Sequence, residues 1–323
     1  MNNKDNLNKW LINKSLLKSL FKNEVILVGI LLLLIVFFSL LNKNFYTLNN
    51  LKTISINMGR GGFIVIGMGL ILITGNIDLS VGSMVGLAST VAALLFSRPF
   101  FSEGIVNSLI GILIVIIAGG ILGSFNGIFV INLGINTIIA TLATMAIFRG
   151  LSYAFLGGKV LYIKSPLFLT IARSNLGGVI SLPFIILIIF FFILFLFLTY
   201  TKFGNNFKAT GADEKIAYTF GIKVKKIKFI AFVVSGIMAG ITSIIICGQI
   251  GAGAPEYGIG MELDAIIITV LGGVRLRGGR GNASGLFVAL AILEVFTIGF
   301  VILGLSLYLR YIARGLILII VLI

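Results

Sequence analysis

Few side chains in this chain are equipped for chemistry, and most of those stand at the ends of apolar runs. Asp78 lies in Gly75-Asn76-Ile77-Asp78-Leu79-Ser80-Val81-Gly82-Ser83, between two such runs. A carboxylate there is costly, which makes it a functional candidate. It can cap the following helix, its charge meeting the positive helix end. It can also form, with Ser80 and Ser83, a polar break between two helices, and the two readings are compatible because a break needs a cap. Glu262 and Asp264 open a later run, where acids favour a helix N-terminus or meet a solute. Glu294, in Ile292-Leu293-Glu294-Val295, is the carboxylate placed deepest within a run and the best candidate for a proton relay. The chain has no histidine, which removes the commonest general base and metal ligand. Its one cysteine, Cys247, follows Ile244-Ile245-Ile246 and reads as a small hydrophobe. No Gly-x-x-x-x-Gly-Lys-Ser/Thr phosphate loop occurs. Any ATP hydrolysis that energises this chain must come from another subunit, and no metal or catalytic residue is expected in it.

The elements that must position these groups are membrane helices. Of 323 residues, 59% are hydrophobic and 11% charged, against roughly a quarter charged in soluble domains. A soluble fold of this size cannot hide so much apolar surface. Apolar runs at about 25–41, 55–74, 79–97, 105–131, 136–156, 179–200, 229–249, 262–273, 283–304 and 309–323 predict an all-α polytopic membrane protein of about ten spans. Several runs are short of the ~20 residues a crossing needs, so some helices are expected to be broken or tilted. Residues 1–24 read as an amphipathic segment at the membrane surface, rich in lysine. Residues 25–323 read as one transmembrane domain. Gly119, Gly120, Gly123 and Gly127 share one helix face and predict close helix packing. Polar positions at Asn57, Asn126, Asn132, Asn136, Thr137 and Thr141 either line a path or pack between helices.

The net charge of +15 is a topology signal rather than a mark of nucleic-acid binding, because it flanks the spans. Lys202, Lys208, Lys215, Lys223, Lys225, Lys226 and Lys228 crowd the loop 202–228, and Arg275, Arg277 and Arg280 another. Lys/Arg-rich loops stay on the cytoplasmic side. With a cytoplasmic N-terminus and ten spans, both loops fall there. Inside 202–228, Gly211 permits a sharp turn, Asp213 can cap a short helix with Glu214 in its first turn, and Gly221 can end it. Ile216, Ala217 and Phe220 are expected on one face. A helix that short is unstable alone, so it lies on the membrane surface or docks into a partner.

These residues resemble the coupling loop of the permease subunits of ABC importers for simple sugars, of the ribose, xylose, galactose and autoinducer-2 type. Residues 75–83 are similar to that family's Gly-Gly-x-Asp-Leu-Ser-Val-Gly-Ser motif, with Asn76 at the second glycine. Asn126-Gly127, Thr137 to Met145, Arg149-Gly150-Leu151, Glu262-Leu263-Asp264-Ala265-Ile266 and the glycine loop Gly272-Gly273, Gly278-Gly279-Arg280-Gly281 follow in the family's order. The likeness covers about residues 45–323. Departures are Tyr218 where an arginine is usual, Ile216, Thr219, and the arginines of the glycine loop. A short polar tail beyond Ile323 would also be usual. They bear on which ATPase is the partner more than on the class.

The resemblance implies a bacterial cytoplasmic-membrane permease with no cofactor of its own. ATP and Mg would be bound by a separate cytoplasmic ATPase subunit, an extracytoplasmic solute-binding protein would deliver the solute, and a second permease copy or paralogue would complete the assembly within the lipid. Gly211, Asp213, Glu214, Ala217, Phe220 and Gly221 would contact the ATPase. Asp78, Ser80, Ser83, Asn126, Thr137, Thr141, Glu262 and Asp264 would belong to the path. Few charges in the spans suit a small neutral solute, a monosaccharide such as ribose. Alternatives are a nucleoside permease of the same superfamily, an ion-coupled secondary transporter relying on Glu294, and, least favoured, an intramembrane enzyme.

Overall fold

The computed structural model describes residues 24–322. The expected amphipathic segment 1–24 therefore lies, but for Glu24, outside the described residues. Helices come in the order α1 (Glu24–Leu41), α2 (Leu48–Ile73), α3 (Val81–Phe96), α4 (Pro99–Ser102), α5 (Ile105–Gly127), α6 (Thr137–Leu156), α7 (Pro166–Arg173), α8 (Leu182–Tyr200), α9 (Lys202–Ala212), α10 (Glu214–Thr219), α11 (Val224–Ile250), α12 (Met261–Leu271), α13 (Ala283–Ile302) and α14 (Leu307–Leu322). A π-helical turn, Ile128–Asn132, extends α5. Strand structure among the described residues amounts to two-residue pairs, Leu161–Tyr162 with Ala252–Gly253 and Asn175–Leu176 with Ile180–Ser181.

Seven of these helices are long and apolar enough to cross a membrane: α1, α2, α5 with its extension, α6, α8, α11 and α13. Together with the shorter α3, α12 and α14 they account for all ten apolar runs. At 1.5 Å per residue, α12 is about 16 Å long, half of a ~30 Å hydrocarbon layer. The eighth run is thus a half-span rather than a crossing. Residues 251–260 complete it as non-helical backbone packed along α3. Gly253 lies against the Ser89 carbonyl, and Gly258 against that of Gly82. Such backbone is tolerated at membrane depth only where protein covers it, and in this stretch only Glu256 and Ile259 are exposed.

The core is built from α2, α3 and α11, helices apolar on nearly every side and buried accordingly. α11 packs along α5, α2 and α3. Its contact with α5 is made by glycines, as their spacing predicts. A Cβ on Gly119 would strike the Gly236 carbonyl, one on Gly236 the Gly119 carbonyl, and one on Gly123 the Phe232 carbonyl. Backbone-to-backbone approach of this kind replaces the hydrophobic effect as the source of helix association in lipid. Cys247 is fully buried in a satellite cluster with Phe96 and Phe168. By contrast α1, α5, α6 and α8 present rows of exposed leucine, isoleucine and phenylalanine, the surface a bilayer would cover.

Candidate functional site

The break between α2 and α3 is a hydrogen-bonded knot. Asp78 is not the N-cap of α3, as expected; Ser80 holds that position and makes no side-chain cap bond. Asp78 instead closes a turn on the segment before the helix. Its Oδ1 accepts from the Ser80 backbone N–H at 2.8 Å and from the Ser80 hydroxyl at 2.7 Å. Asn126 of α5 donates to the Ser80 hydroxyl oxygen at 2.7 Å and to Asp78 at 3.3 Å. Thr137, at the start of α6, donates to Asn76 Oδ1 at 2.9 Å, and Thr141 donates to the Thr137 carbonyl one turn back. Ser83 donates to the Ser80 carbonyl. Six expected path residues therefore meet, and they tie the break to α5 and α6. Asp78 and Ser80 are 0% exposed, so their work in this conformation is to fix helix positions. A buried carboxylate without a cation is tolerable because several donors replace its hydration.

Glu262 and Asp264 do occupy the first turn of α12, and they face different neighbours. The Glu262 carboxylate packs against Gly82 and accepts from the Gly260 N–H at 3.2 Å. Asp264 is ion-paired with Arg314 of α14, Nη1 to Oδ2 at 2.8 Å. Arg149 of α6 donates to the carbonyls of Pro255 and Tyr257, the latter at 2.9 Å. It thereby satisfies two acceptors of the non-helical stretch. Gln249 ends α11 and accepts from Arg60 Nε at 2.9 Å. The stretch between α11 and α12 is thus folded into the protein.

Where the α2–α3 break begins, glycines weld three segments together. The Gly279 N–H donates to the Ile73 carbonyl, the last of α2, at 2.9 Å. Gly211 sits on that same contact: an added Cβ would meet the Ile73 carbonyl and lie 2.6 Å from the Gly279 nitrogen. Gly278 stacks on Gly75 and on the Gly211 carbonyl, and Gly281 on the Ile73 side chain. Gly278 and Gly279 both have φ near +80° (83° and 82°), where a side chain is strained. Gly272 packs on α13 at Gly285, while Gly273 faces open space. Gly211 is thus not a turn residue as expected. It lies inside α9, a helix that sequence reasoning took for loop.

α10 is the short helix expected. Asp213 Oδ1 caps it by accepting from the Ile216 N–H at 2.9 Å, and Gly221 follows its end with φ +77°. Glu214 pairs with Lys228 of α11. Ala217 is buried, but Ile216 and Phe220 do not share its face. They are 56% and 81% exposed, and Tyr218 is 75% exposed. Beneath, Lys208 of α9 donates to the Leu198 carbonyl, and burial lowers its ammonium pKa below the usual lysine range. The two basic loops, 202–228 and 274–282, meet at this joint and so lie on one side of the molecule.

α9 is thus fastened both to the end of α2 and to the glycine loop that follows α12. Residues 50–322 match the family described as branched-chain amino acid transport system / permease component. The chain belongs to that family. It is 30% identical over 296 residues to the ribose import permease protein of Haemophilus influenzae, covering 90% of this chain and 89% of the relative. With the ribose import permease protein of Escherichia coli K12 it shares 32% over 289 residues, 88% of each chain. With the L-arabinose transport system permease protein of the same strain it shares 34% over 276 residues, 85% and 82% of the two chains. No solved structure matches. The chain is a multi-pass membrane permease component, not itself an enzyme.

Proposed function

We propose that this chain is the permease subunit of an ABC importer that carries a monosaccharide, of the ribose or arabinose kind, across the bacterial cytoplasmic membrane. The observation that carries the proposal is the exposed apolar tip of α10, Ile216, Tyr218 and Phe220, on a helix joined to the transmembrane core through Gly211. Exposed apolar side chains grouped at one place outside the bilayer mark an interaction site. The partner that fits is a cytoplasmic ATPase subunit, which supplies the ATP and Mg chemistry that this chain has no phosphate loop to perform. The basic loops around α10 support a cytoplasmic location for this end under the positive-inside rule, and the bond between Glu24 and Ser284 supports a start of α1 on the same side. An extracytoplasmic binding protein would deliver solute at the opposite end, and a second permease copy would complete the pathway.

Transport then follows from differential binding. The ATPase shifts the permease between conformations only in so far as it holds α10 differently in them. The test is reconstitution with and without the co-purified ATPase, using labelled ribose and arabinose. Uptake that needs ATP and the partner is expected. Sustained uphill accumulation by this chain alone would refute the proposal and favour an ion-coupled carrier.

A further inference from the structure

A cavity of about 190 Å³ lies between α2, α12, α13 and α14, and charged groups from all four helices line it. Arg60 comes from α2, Asp264 from α12, Glu294 from α13 and Arg314 from α14, with Asn57 and Thr297 beside them. Its depth follows from helix geometry. Arg60 is near the middle of the 26-residue α2, and Glu294 just past the middle of the 20-residue α13. Each is thus roughly 12–20 Å from either end of its helix, well inside the hydrocarbon layer that helices of this length span. Sequence reasoning gave this depth to Glu294 alone and counted few charges in the spans. Two guanidinium groups and two carboxylates meet there.

The groups are not fully spent on one another. Arg314 donates to Asp264 at 2.8 Å and to the Thr297 hydroxyl at 3.3 Å, yet its Nε is buried without a partner. Arg60 reaches Gln249, whose Nε2 also finds no acceptor. Glu294 faces Gly61, and open space remains there: even an added Cβ would stand 3.8 Å from its Oε1. Asp78, by comparison, is fully enclosed and surrounded by donors.

We propose that this cavity is a solute-binding site inside a single permease chain, and that its ligand is a small, uncharged, polyhydroxylated molecule. The inference rests on the sugar-importer reading above and adds to it a place and a set of contacts. The charge balance selects the ligand class. An anion would meet Asp264 and Glu294, a cation would meet Arg60 and Arg314, and a hydrocarbon would shut water away from Glu294 and leave the Arg314 Nε without a partner. Vicinal hydroxyls answer both signs at once, donating to the carboxylates and accepting from the guanidinium groups. The volume selects size. It holds about six waters at ~30 Å³ each and falls below the ~300–1,000 Å³ of drug-sized ligand sites, so one monosaccharide is admitted and a disaccharide excluded. Ile64, Val65 and Leu293 complete an apolar wall for the ring faces.

The experiment is uptake kinetics in cells carrying the complete transporter, over a panel of neutral pentoses and hexoses, for wild type, Glu294→Gln, Asn57→Leu and Thr297→Val. Loss of one contact to a neutral group raises KM several-fold, and loss of a charged partner about ten-fold or more. The expected result is a raised KM and altered ranking of sugars, with ATPase retention and thermal stability of the purified complex unchanged. The milder Thr297→Val keeps the test open if Glu294→Gln folds poorly. Sugar uptake with wild-type KM and ranking in all three variants overturns this site and leaves the sugar reading intact. No uptake of any sugar by wild type overturns both.

Discussion

Replacing Gly211 by valine tests whether α9 and α10 drive the transmembrane core. The new Cβ would collide with the Ile73 carbonyl and lie 2.6 Å from the Gly279 nitrogen and 2.9 Å from the Ile73 carbonyl carbon. All three are backbone atoms, from the end of α2 and from the glycine loop, so no flexible side chain can swing away. Overpacking of this kind costs about 1–3 kcal/mol. Separating the segments also breaks the 2.9 Å Gly279-to-Ile73 hydrogen bond, worth about 0.5–1.5 kcal/mol net. The sum, about 1.5–4.5 kcal/mol, corresponds to a roughly 10- to 2,000-fold shift against the welded arrangement. The strain falls at one end of α2, and α10 itself makes none of these contacts. The variant is therefore expected to reach the membrane and hold its ATPase through α10 while losing most solute-stimulated ATP hydrolysis. Gly150→Ala, where nothing lies within 4 Å, is the matched control. Reconstituted complexes with the binding protein and either sugar give the measurement. Full stimulation of Gly211→Val at wild-type solute concentrations would refute the idea that this contact transmits the motion.

Three further outcomes are expected. Tyr218→Asp combined with Phe220→Asp, at side chains 75% and 81% exposed, should abolish ATPase co-purification and leave the thermal transition of the isolated permease in place; retention of the ATPase would remove α10 as its dock. Arg149→Leu strips the donor from the Pro255 and Tyr257 carbonyls, at about 1–3 kcal/mol for each acceptor left unmet; lowered thermal stability and loss of uptake should appear together, and a stable variant would show that the 251–260 segment is held by other contacts. Lys228→Met keeps the apolar stem and gives up only the pair with Glu214, whose side chain is 56% exposed, so stability should change by no more than about 1 kcal/mol; a larger loss by thermal melting would mean that the pair orients α10.

What the sequence revealed followed from how local each signal is. Apolar runs marked every membrane helix, because hydrocarbon enforces composition over a whole segment. The cap at Asp213 and the stop at Gly221 were legible because both act within a turn of themselves. α7 also carried a local signature, Ser165 before Pro166, with the serine hydroxyl accepting from the Phe168 N–H, but it fell between runs. α9 was hidden by its glycines. Gly204 and Gly211 look like breakers, yet Gly204 is packed against the Phe197 carbonyl, so tertiary contact repays their poor propensity. Phe203 and Phe207 at helical spacing, with Thr201 capping, were the available clue. Nothing local reveals that Arg314 meets Asp264, fifty residues earlier, or that Arg60 reaches Gln249. Those partners exist only once α2, α12 and α14 are packed.

The joint and the cavity share two helices, and that sharing is the physical basis for linking ATP-driven motion to solute. One end of α2 is Ile73, fastened to Gly211 and Gly279; its middle carries Asn57 and Arg60 to the cavity. α12 likewise runs from Asp264 at the cavity to Gly272 at the glycine loop, only about 16 Å of helix. The start of α12 is held by the Asp264–Arg314 pair and by the non-helical 251–260 stretch, which α3 and Arg149 support. A displacement of α9 of even a side chain's width therefore cannot be absorbed by bending at the glycine joint, where backbone meets backbone. It must move the inner ends of α2 and α12, and with them the Asp264–Arg314 pair. Packed interfaces are bistable rather than continuously deformable, so the pair has either to persist or to part. An exchange of Asp264 between Arg314 and a sugar hydroxyl would make solute binding and the position of α10 parts of one equilibrium.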